Sequence, residues 1–125
     1  MSPEASDWLT RADQALGSAE LLADSDPDAS ASRAYYAAFY AVSALFSAEG
    51  RSFRKHSALE AAVHRDLVRA GRWPPDLGEA YTRLQLRRIT GDYGGELHVN
   101  RDDARDAIEA ARQIVQEVRR TLSES

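Results

Sequence analysis

The chain has no cysteine. Disulfide bonds, thiolate metal ligands and cysteine nucleophiles are therefore excluded. Histidine is also scarce, and the only copies are His56, His64 and His98. No two of them have the i, i+4 spacing of a helical metal site, and no pattern of carboxylates accompanies them. We therefore expect neither a metal centre nor another cofactor.

Long apolar runs are missing as well. No stretch approaches the roughly 20 apolar residues that span a bilayer, and the first residues lack the basic start and apolar core of a signal peptide. These absences predict a cytoplasmic protein with no membrane segment. A chain of 125 residues is long enough for one hydrophobic core and too short for two, so we expect a single domain over residues 1–125.

The alternation typical of strands is also absent, whereas apolar residues recur at helical spacing in five segments. The predicted helical segments are 2–24, 26–50, 57–70, 75–89 and 100–122. A capping residue followed by proline begins the first two segments, and Asn100 is a good cap for the last. This pattern predicts an all-α protein, an antiparallel up-and-down bundle of about five helices, four long and one short.

The residues between the fourth and fifth segments, Thr90–Gly95, include three glycines within five positions. Because glycine is unfavourable inside a helix, we predict that this stretch is a loop. Such a loop would hold Asp92 and Tyr93 close to Arg33 and to the arginine pair at the end of the fourth segment. A buried arginine needs an anionic partner, so Asp92 has two interpretations, a structural salt bridge and a member of a functional pocket.

Residues 31–46 carry almost no strongly polar side chain. A helix that is apolar around most of its circumference belongs in the middle of a bundle. Alanines recur along it at steps of three and four residues, which lets a neighbouring backbone approach closely. The tyrosines Tyr35, Tyr36 and Tyr40 need hydrogen-bond partners if they are buried. Polar groups that reach this helix from elsewhere are therefore the first candidates for a functional site.

Positive charge is concentrated in the middle of an otherwise acidic chain. The net charge is −4, yet residues 51–88 contain nine arginines or lysines and only four acids. Fifteen of the sixteen basic residues are arginine, whose guanidinium suits bidentate contact with phosphate or carboxylate. Solvated helix surfaces in a protein from a GC-rich genome would give the same pattern, so charge alone leaves the kind of ligand open.

Three separated motifs follow one another along the chain. They are Ser32-Arg33-Ala34-Tyr35-Tyr36-Ala37-Ala38-Phe39, then Gly50 with a basic loop that ends at His56, then Leu86-Arg87-Arg88 before Asp92-Tyr93-Gly94. In these motifs the sequence resembles small prokaryotic HEPN-domain proteins, over residues 6 to 120. The resemblance implies a dimeric helical bundle that works beside a minimal nucleotidyltransferase, which can silence its partner by attaching AMP to a tyrosine.

The resemblance also directs attention to the end of the fourth segment. HEPN ribonucleases carry an arginine followed, after four to six residues, by a histidine, and two such motifs meet in a homodimer to cleave RNA without metal. After Arg87 or Arg88, positions 92 to 95 hold no histidine. Arg51 and His56 have the required spacing, but they lie after the second helix, where the family's catalytic pair is not found. We interpret that spacing as a coincidence.

The candidate site residues form two groups. The candidates for catalysis are Arg88, Asp92, Tyr93 and His56, and those for nucleotide or RNA binding are Arg33, Arg83, Arg87 and Tyr36. Histidine is the side chain that transfers protons near neutral pH without a perturbed pKa, so His56 would replace the missing histidine if packing brings it to the same cleft. Otherwise it caps the third helix. Tyr93 is the predicted acceptor of AMP.

Three functions remain open. The first is a homodimeric partner of a minimal nucleotidyltransferase in a toxin–antitoxin-like pair, which cleaves RNA or binds nucleotide in a basic cleft. The second is a module that binds a nucleotide or positions a substrate without cleaving it, and the missing histidine favours this one. The third is a helical scaffold with no ligand. Trp8, Trp73 or the alanine stripe is the predicted dimer contact.

Overall fold

The computed structural model describes residues 1–124. Its helices are α1 (Pro3–Leu22), α2 (Pro27–Ala48), α3 (His56–Ala62), α4 (Pro75–Tyr93) and α5 (Arg101–Ser123), and a π-helical turn over Val63–Val68 extends α3. No strand occurs within the described range. The predicted all-α bundle, with four long helices and one short one, is therefore confirmed.

Local capping explains where three of the long helices begin. The Ser2 side chain accepts a hydrogen bond from the Ala5 N–H at 3.1 Å, and Asp26 accepts one from the Ala29 N–H at 3.2 Å. Asn100 does the same for the Asp103 N–H at 2.7 Å. Each bond satisfies an N–H group that the first helical turn leaves without an intrahelical partner.

The second helix, α2, lies at the centre of the bundle and packs against α1, α4 and α5. Its alanine stripe is fully buried at Ala34, Ala38, Ala41 and Ala44. Small side chains let the surrounding helices approach this stripe closely. The bulkier residues of α2 fill the remaining space, and Tyr35 among them has no exposed surface. The central position predicted for residues 31–46 is therefore the observed one.

The predicted loop at Thr90–Gly95 is wrong over its first four residues, because α4 continues through Tyr93. Gly91 lies inside the helix, and a β-carbon built there would be 2.6 Å from the backbone oxygen of Asp28 at the start of α2. Glycine is therefore present at this position to permit a close approach of two helices. Gly95, with φ of +63°, lies in the segment that follows α4, where glycine adopts this backbone conformation at no steric cost.

Burial also corrects an expectation about one side chain. Trp73, a predicted dimer contact, is only 3% exposed and belongs to the core, so it is not available to a partner. Trp8 is half-buried, with its ring stacked on Tyr40 at a centroid distance of 5.8 Å.

Candidate functional site

The side chain of Arg88 leaves α4 towards the tyrosine rings of α2. Its guanidinium carbon lies 4.9 Å from the centroid of the Tyr35 ring and 5.9 Å from that of Tyr36. Only 14% of the Arg88 side chain is exposed. The negative face of an aromatic ring attracts a cation at this range. The rings thus hold the guanidinium in place, but they do not cancel its charge.

Arg88 has one nearby carboxylate, and the contact is long. Its Nη1 atom is 3.5 Å from Asp92 Oδ2, whereas a direct charge-assisted hydrogen bond is about 2.7–2.9 Å. The Nε–H group donates to the side chain of Gln85 at 3.1 Å. Asp92 also accepts a hydrogen bond from the Ser32 hydroxyl at 3.4 Å. Asp92 therefore orients Arg88 only weakly, and part of the donor fork remains available for an anion.

His56 begins α3 and packs against the same aromatic rings. Its Nδ1 atom is 3.1 Å from the hydroxyl oxygen of Tyr35, and its ring centroid lies 4.5 Å from that of Phe39 and 5.6 Å from that of Tyr36. The hydrogen bond and the ring contacts fix the orientation of the imidazole. Packing thus brings His56 and Arg88 to the same two rings, those of Tyr35 and Tyr36.

Burial and the charge of Arg88 set the protonation states of His56 and Tyr35. Burial, together with the positive charge of Arg88, lowers the pKa of His56 below its usual 6.5, so the imidazole is neutral at neutral pH. Burial raises the pKa of Tyr35 above 10, so that phenol keeps its proton. A neutral imidazole next to a cation can accept a proton from a substrate hydroxyl group. We call Arg88, His56, Tyr35, Tyr36 and Asp92 the Arg88–His56 cluster.

Arg33 adds a second cation to the edge of this cluster. Its guanidinium carbon lies 4.8 Å from the centroid of the Tyr36 ring. Tyr36 therefore contacts both Arg33 and Arg88, which are contributed by different helices. Arg33, Tyr36 and Arg88 are all candidate site residues from the sequence, and the structure brings them together.

Arg83 and Arg87 have different surroundings, although they lie on the same helix as Arg88. Nε of Arg83 is 3.7 Å from Asp106, and Nη2 of Arg87 is 3.2 Å from Asp103. Both aspartates belong to α5. These two arginines, which the sequence analysis included among the binding residues, therefore point to α5 and not to the tyrosines of α2.

Tyr93 is the last residue of α4. Its side chain is 74% exposed, so its ring lies outside the buried part of the cluster. The structure thus separates Tyr93 from the aromatic rings of α2, although it brings the neighbouring Asp92 to within reach of Arg88. An exposed phenol is accessible to another protein.

The two remaining histidines have local partners. His98 Nδ1 is 2.6 Å from Asp28 Oδ2, and the other oxygen of Asp28 accepts from the Val99 N–H at 2.7 Å. Burial acts to raise the pKa of Asp28, but these hydrogen bonds lower it below 3.8. The contacts hold the segment before α5 against the start of α2. His64 Nε2 is 3.0 Å from the Thr82 hydroxyl, which joins the π-helical turn to α4.

Two further observations bear on possible ligands. No group of three or more side chains suited to hold a metal ion occurs within residues 1–124. Among the helices in that range, none combines the length and apolar character that crossing a bilayer requires. Arg51, which has the motif spacing to His56 in the sequence, is 2.9 Å from Asp66. It is not part of the Arg88–His56 cluster.

Sequence reasoning missed Phe39 and the role of Tyr35. Phe39 makes the closest ring contact of His56, at 4.5 Å, but nothing in its sequence context distinguishes it from a core residue. Tyr35 had a usable signal, because a buried phenol needs a polar partner. That requirement predicts a polar group above α2, and His56 fulfils it.

The helices and the cluster define the class of protein. It is an all-α bundle whose central helix presents tyrosines to cations and to a histidine from neighbouring helices. The family model for the HEPN domain matches residues 5–121, which is nearly the whole chain. The protein belongs to the HEPN domain family, and the resemblance noted in the sequence is confirmed.

Relatives and a solved structure agree with this assignment. The chain is 37% identical over 118 residues to a UPF0332 protein of Thermotoga maritima, covering 94% of this chain and 89% of the relative. It is 36% identical over 118 residues to the UPF0332 protein glr0978 of Gloeobacter violaceus, covering 93% and 94%. The crystal structure of TT1696 from Thermus thermophilus superimposes with a TM-score of 0.82 at 28% identity, covering 95% and 98%.

Proposed function

We propose that this protein is the HEPN component of a pair with a minimal nucleotidyltransferase, and that it binds a phosphate group of RNA or of a nucleotide through Arg88. The observation that carries the proposal is the state of Arg88, which is largely buried over two tyrosine rings and only loosely paired with Asp92. An arginine held in this way binds phosphate without a large loss of side-chain entropy.

The same geometry supports cleavage of the RNA. A phosphate bound to Arg88 would lie beside the neutral imidazole of His56, which takes the proton from a ribose 2′-hydroxyl group. The 2′ oxygen then attacks phosphorus, the bond from phosphorus to the 5′ oxygen breaks, and the departing 5′ oxygen takes a proton from water, to which His56 later returns the proton it accepted. The products are a 2′,3′-cyclic phosphate and a 5′-hydroxyl end. Arg88 stabilises the negative charge that develops on the phosphoryl oxygens.

Incubation of the purified protein with total RNA or tRNA tests this function. We expect cleavage that Arg88→Ala abolishes and His56→Asn reduces by about 10²–10⁴-fold, the usual contribution of a general base. Arg83→Ala is the matched control, since that arginine faces Asp106 on α5, and it should cleave like the unchanged protein.

Binding measured in the same samples separates the two functional classes. RNA or nucleotide binding that depends on Arg88 but leads to no cleavage would identify a non-catalytic module, which the missing motif histidine favours. Equal binding by the unchanged protein, Arg88→Ala and Arg83→Ala would contradict any role of the cluster and leave a helical scaffold.

Tyr93 is the proposed acceptor of AMP from the partner transferase. The Tyr93 side chain is 74% exposed, and Tyr93 directly follows Asp92 of the cluster in the chain. AMP on Tyr93 would therefore add a charged group close to the proposed phosphate site. Mass spectrometry after co-expression with a minimal nucleotidyltransferase should find AMP on the peptide that contains Tyr93. AMP on Tyr40, with Tyr93 unmodified, would contradict this assignment.

A homodimer is proposed through the outer surface of α4. Leu86, Ile89 and Tyr93 recur at helical spacing and are 59%, 44% and 74% exposed, and Leu97 beyond the helix is 71% exposed. Exposed apolar groups that adjoin one another are typical of protein contacts. Leu86→Glu should shift the protein from dimer to monomer in light scattering, whereas Leu21→Glu on α1 should not. Identical masses for all three proteins would exclude this surface.

A further inference from the structure

A pocket lies between α1, α2 and residues 50–53. Its volume is about 390 Å³, within the range of small-molecule sites. The residues that give the pocket its chemical character are Glu4, Trp8, Phe39, Ser43, Ser47 and Phe53. None of them has a place in the function proposed above.

Three aromatic side chains form the walls, and contacts behind them hold two of these rings in position. Trp8 is stacked on Tyr40 at 5.8 Å with an angle of 29° between the ring planes. Phe53 packs against Phe46 at 5.2 Å. Rings that are fixed before a ligand arrives provide flat surfaces on which a nucleobase stacks, and each such stack contributes substantially to nucleic-acid binding.

The polar groups in the pocket select a ligand that donates hydrogen bonds. Glu4 Oε2 accepts a bond from the Ser47 hydroxyl at 3.3 Å, so the carboxylate is turned towards α2. An ionised carboxylate can only accept hydrogen bonds. The cation in the lining, Arg51, is 2.9 Å from Asp66, but that carboxylate also pairs with Arg65 at 2.8 Å, so Arg51 keeps part of its charge. The pocket therefore combines a carboxylate that suits a base with a donating edge and a cation at its rim.

Phe39 connects this pocket with the Arg88–His56 cluster. It lines the pocket, and its ring centroid is also 4.5 Å from that of His56. A nucleotide whose base occupies the pocket would therefore have its ribose and phosphate near the imidazole.

We propose that this pocket is a nucleobase subsite with a preference for guanine, an inference that rests on the function proposed for the cluster. The N1–H and N2–H groups of guanine are adjacent donors that match the two oxygens of a carboxylate. Adenine and cytosine each place a ring acceptor beside their amino group, and uracil places carbonyl groups on both sides of its N–H. Glu4 thus distinguishes guanine from the other bases.

Tryptophan fluorescence measures occupancy of the pocket directly. Trp8 lines it, whereas Trp73, the other tryptophan, is buried in the core at 3% exposure. Titration with guanosine 5′-monophosphate should quench the fluorescence, and Trp8→Phe should remove the quenching while keeping an aromatic wall. Glu4→Gln should weaken binding of this nucleotide about tenfold and change binding of adenosine 5′-monophosphate less than twofold. Asp7→Asn, an exposed acid on the same helix, is the matched control and should change neither.

The outcomes for the pocket and for the cluster are distinguishable. Equal affinity for the four nucleoside monophosphates, quenching that persists in Trp8→Phe, or no effect of Glu4→Gln would overturn the guanine subsite. If RNA binding in those same samples still depends on Arg88, the function of the cluster stands without it. Conversely, quenching by the guanine nucleotide that Arg88→Ala leaves unchanged would support the pocket and contradict the shared site.

Discussion

Arginines on the two sides of α4 contact different kinds of neighbouring group. On the side that faces α5, Arg83 and Arg87 meet the carboxylates of Asp106 and Asp103. On the side that faces α2, Arg88 meets the rings of Tyr35 and Tyr36.

The neighbouring helix therefore decides what an arginine on α4 can do. Arg83 and Arg87 join α4 to α5 at a half-exposed surface, where their side chains are 47% and 36% exposed and solvent screens their charge. An aromatic ring attracts the cation without cancelling its charge, so Arg88 is positioned and still positive. The local excess of basic residues in the sequence contains both kinds, and only the packing separates them.

The largest effect is expected where α4 approaches α2 most closely. A β-carbon at Gly91 would lie 2.6 Å from the backbone oxygen of Asp28, and that backbone cannot move without displacing the start of α2. Gly17 in α1 has no such neighbour within 4 Å, so Gly17→Ala reports the gain in helix propensity alone. Gly91→Ala should be less stable than Gly17→Ala by about 1–3 kcal/mol in urea unfolding, the usual cost of overpacking. Equal stabilities would mean that the close approach is not required.

An intermediate effect is expected at the hydrogen bond inside the cluster. Tyr35→Phe removes the hydroxyl group that lies 3.1 Å from His56 Nδ1 and leaves the ring packing unchanged. The free energy of unfolding should fall by about 0.5–1.5 kcal/mol, the net value of a typical hydrogen bond. Tyr40→Phe is the control, because Tyr40 stacks on Trp8 and is not bonded to the imidazole. A larger loss in Tyr40→Phe than in Tyr35→Phe would contradict this arrangement.

The smallest effect is expected on the side of α4 that faces α5. Arg83 and Asp106 are 3.7 Å apart, and their side chains are 47% and 51% exposed. Exposed pairs of this kind typically contribute between 0 and about 1 kcal/mol. Arg83→Met should therefore change the free energy of unfolding by less than about 0.5 kcal/mol and leave RNA binding unchanged. A marked loss of RNA binding in this variant would show that both sides of α4 bind the ligand.

Much of the fold follows from the sequence because its signals are local. Capping residues, prolines and apolar spacing predicted every helix, and the apolar character of residues 31–46 predicted the central position of α2. The predicted end of α4 was wrong, and the error has a physical reason. A glycine required for close packing at Gly91 has the same sequence signal as one required for a loop, and only the neighbour, Asp28, distinguishes them.

The candidate site was less predictable because it depends on the rotation of α4 about its axis. Leu84 is fully buried, and Arg88 is four residues further along, so the two share a helix face. That relation indicates that Arg88 points inward, at 14% exposure, whereas the Arg83 side chain is 47% exposed. The position of His56 over α2 depends on the path of the preceding loop, for which the sequence has no comparable rule.

The pH dependence of stability follows from the pKa of His56. Burial and the charge of Arg88 lower this pKa below 6.5 in the folded protein, so the unfolded chain binds more protons between the two pKa values. His56 therefore makes the protein less stable as the pH falls below 6.5, and this loss is complete once the pH is below the folded pKa.

The most direct test of the central claim is the NMR titration of the His56 ring protons in the unchanged protein, Arg88→Met and Arg83→Met. If Arg88 keeps its charge beside the imidazole, the pKa of His56 is below 6.5, rises in Arg88→Met and is unchanged in Arg83→Met. A His56 pKa at or above 6.5 that neither substitution alters would contradict the placement of Arg88 and His56 beside each other over the same rings.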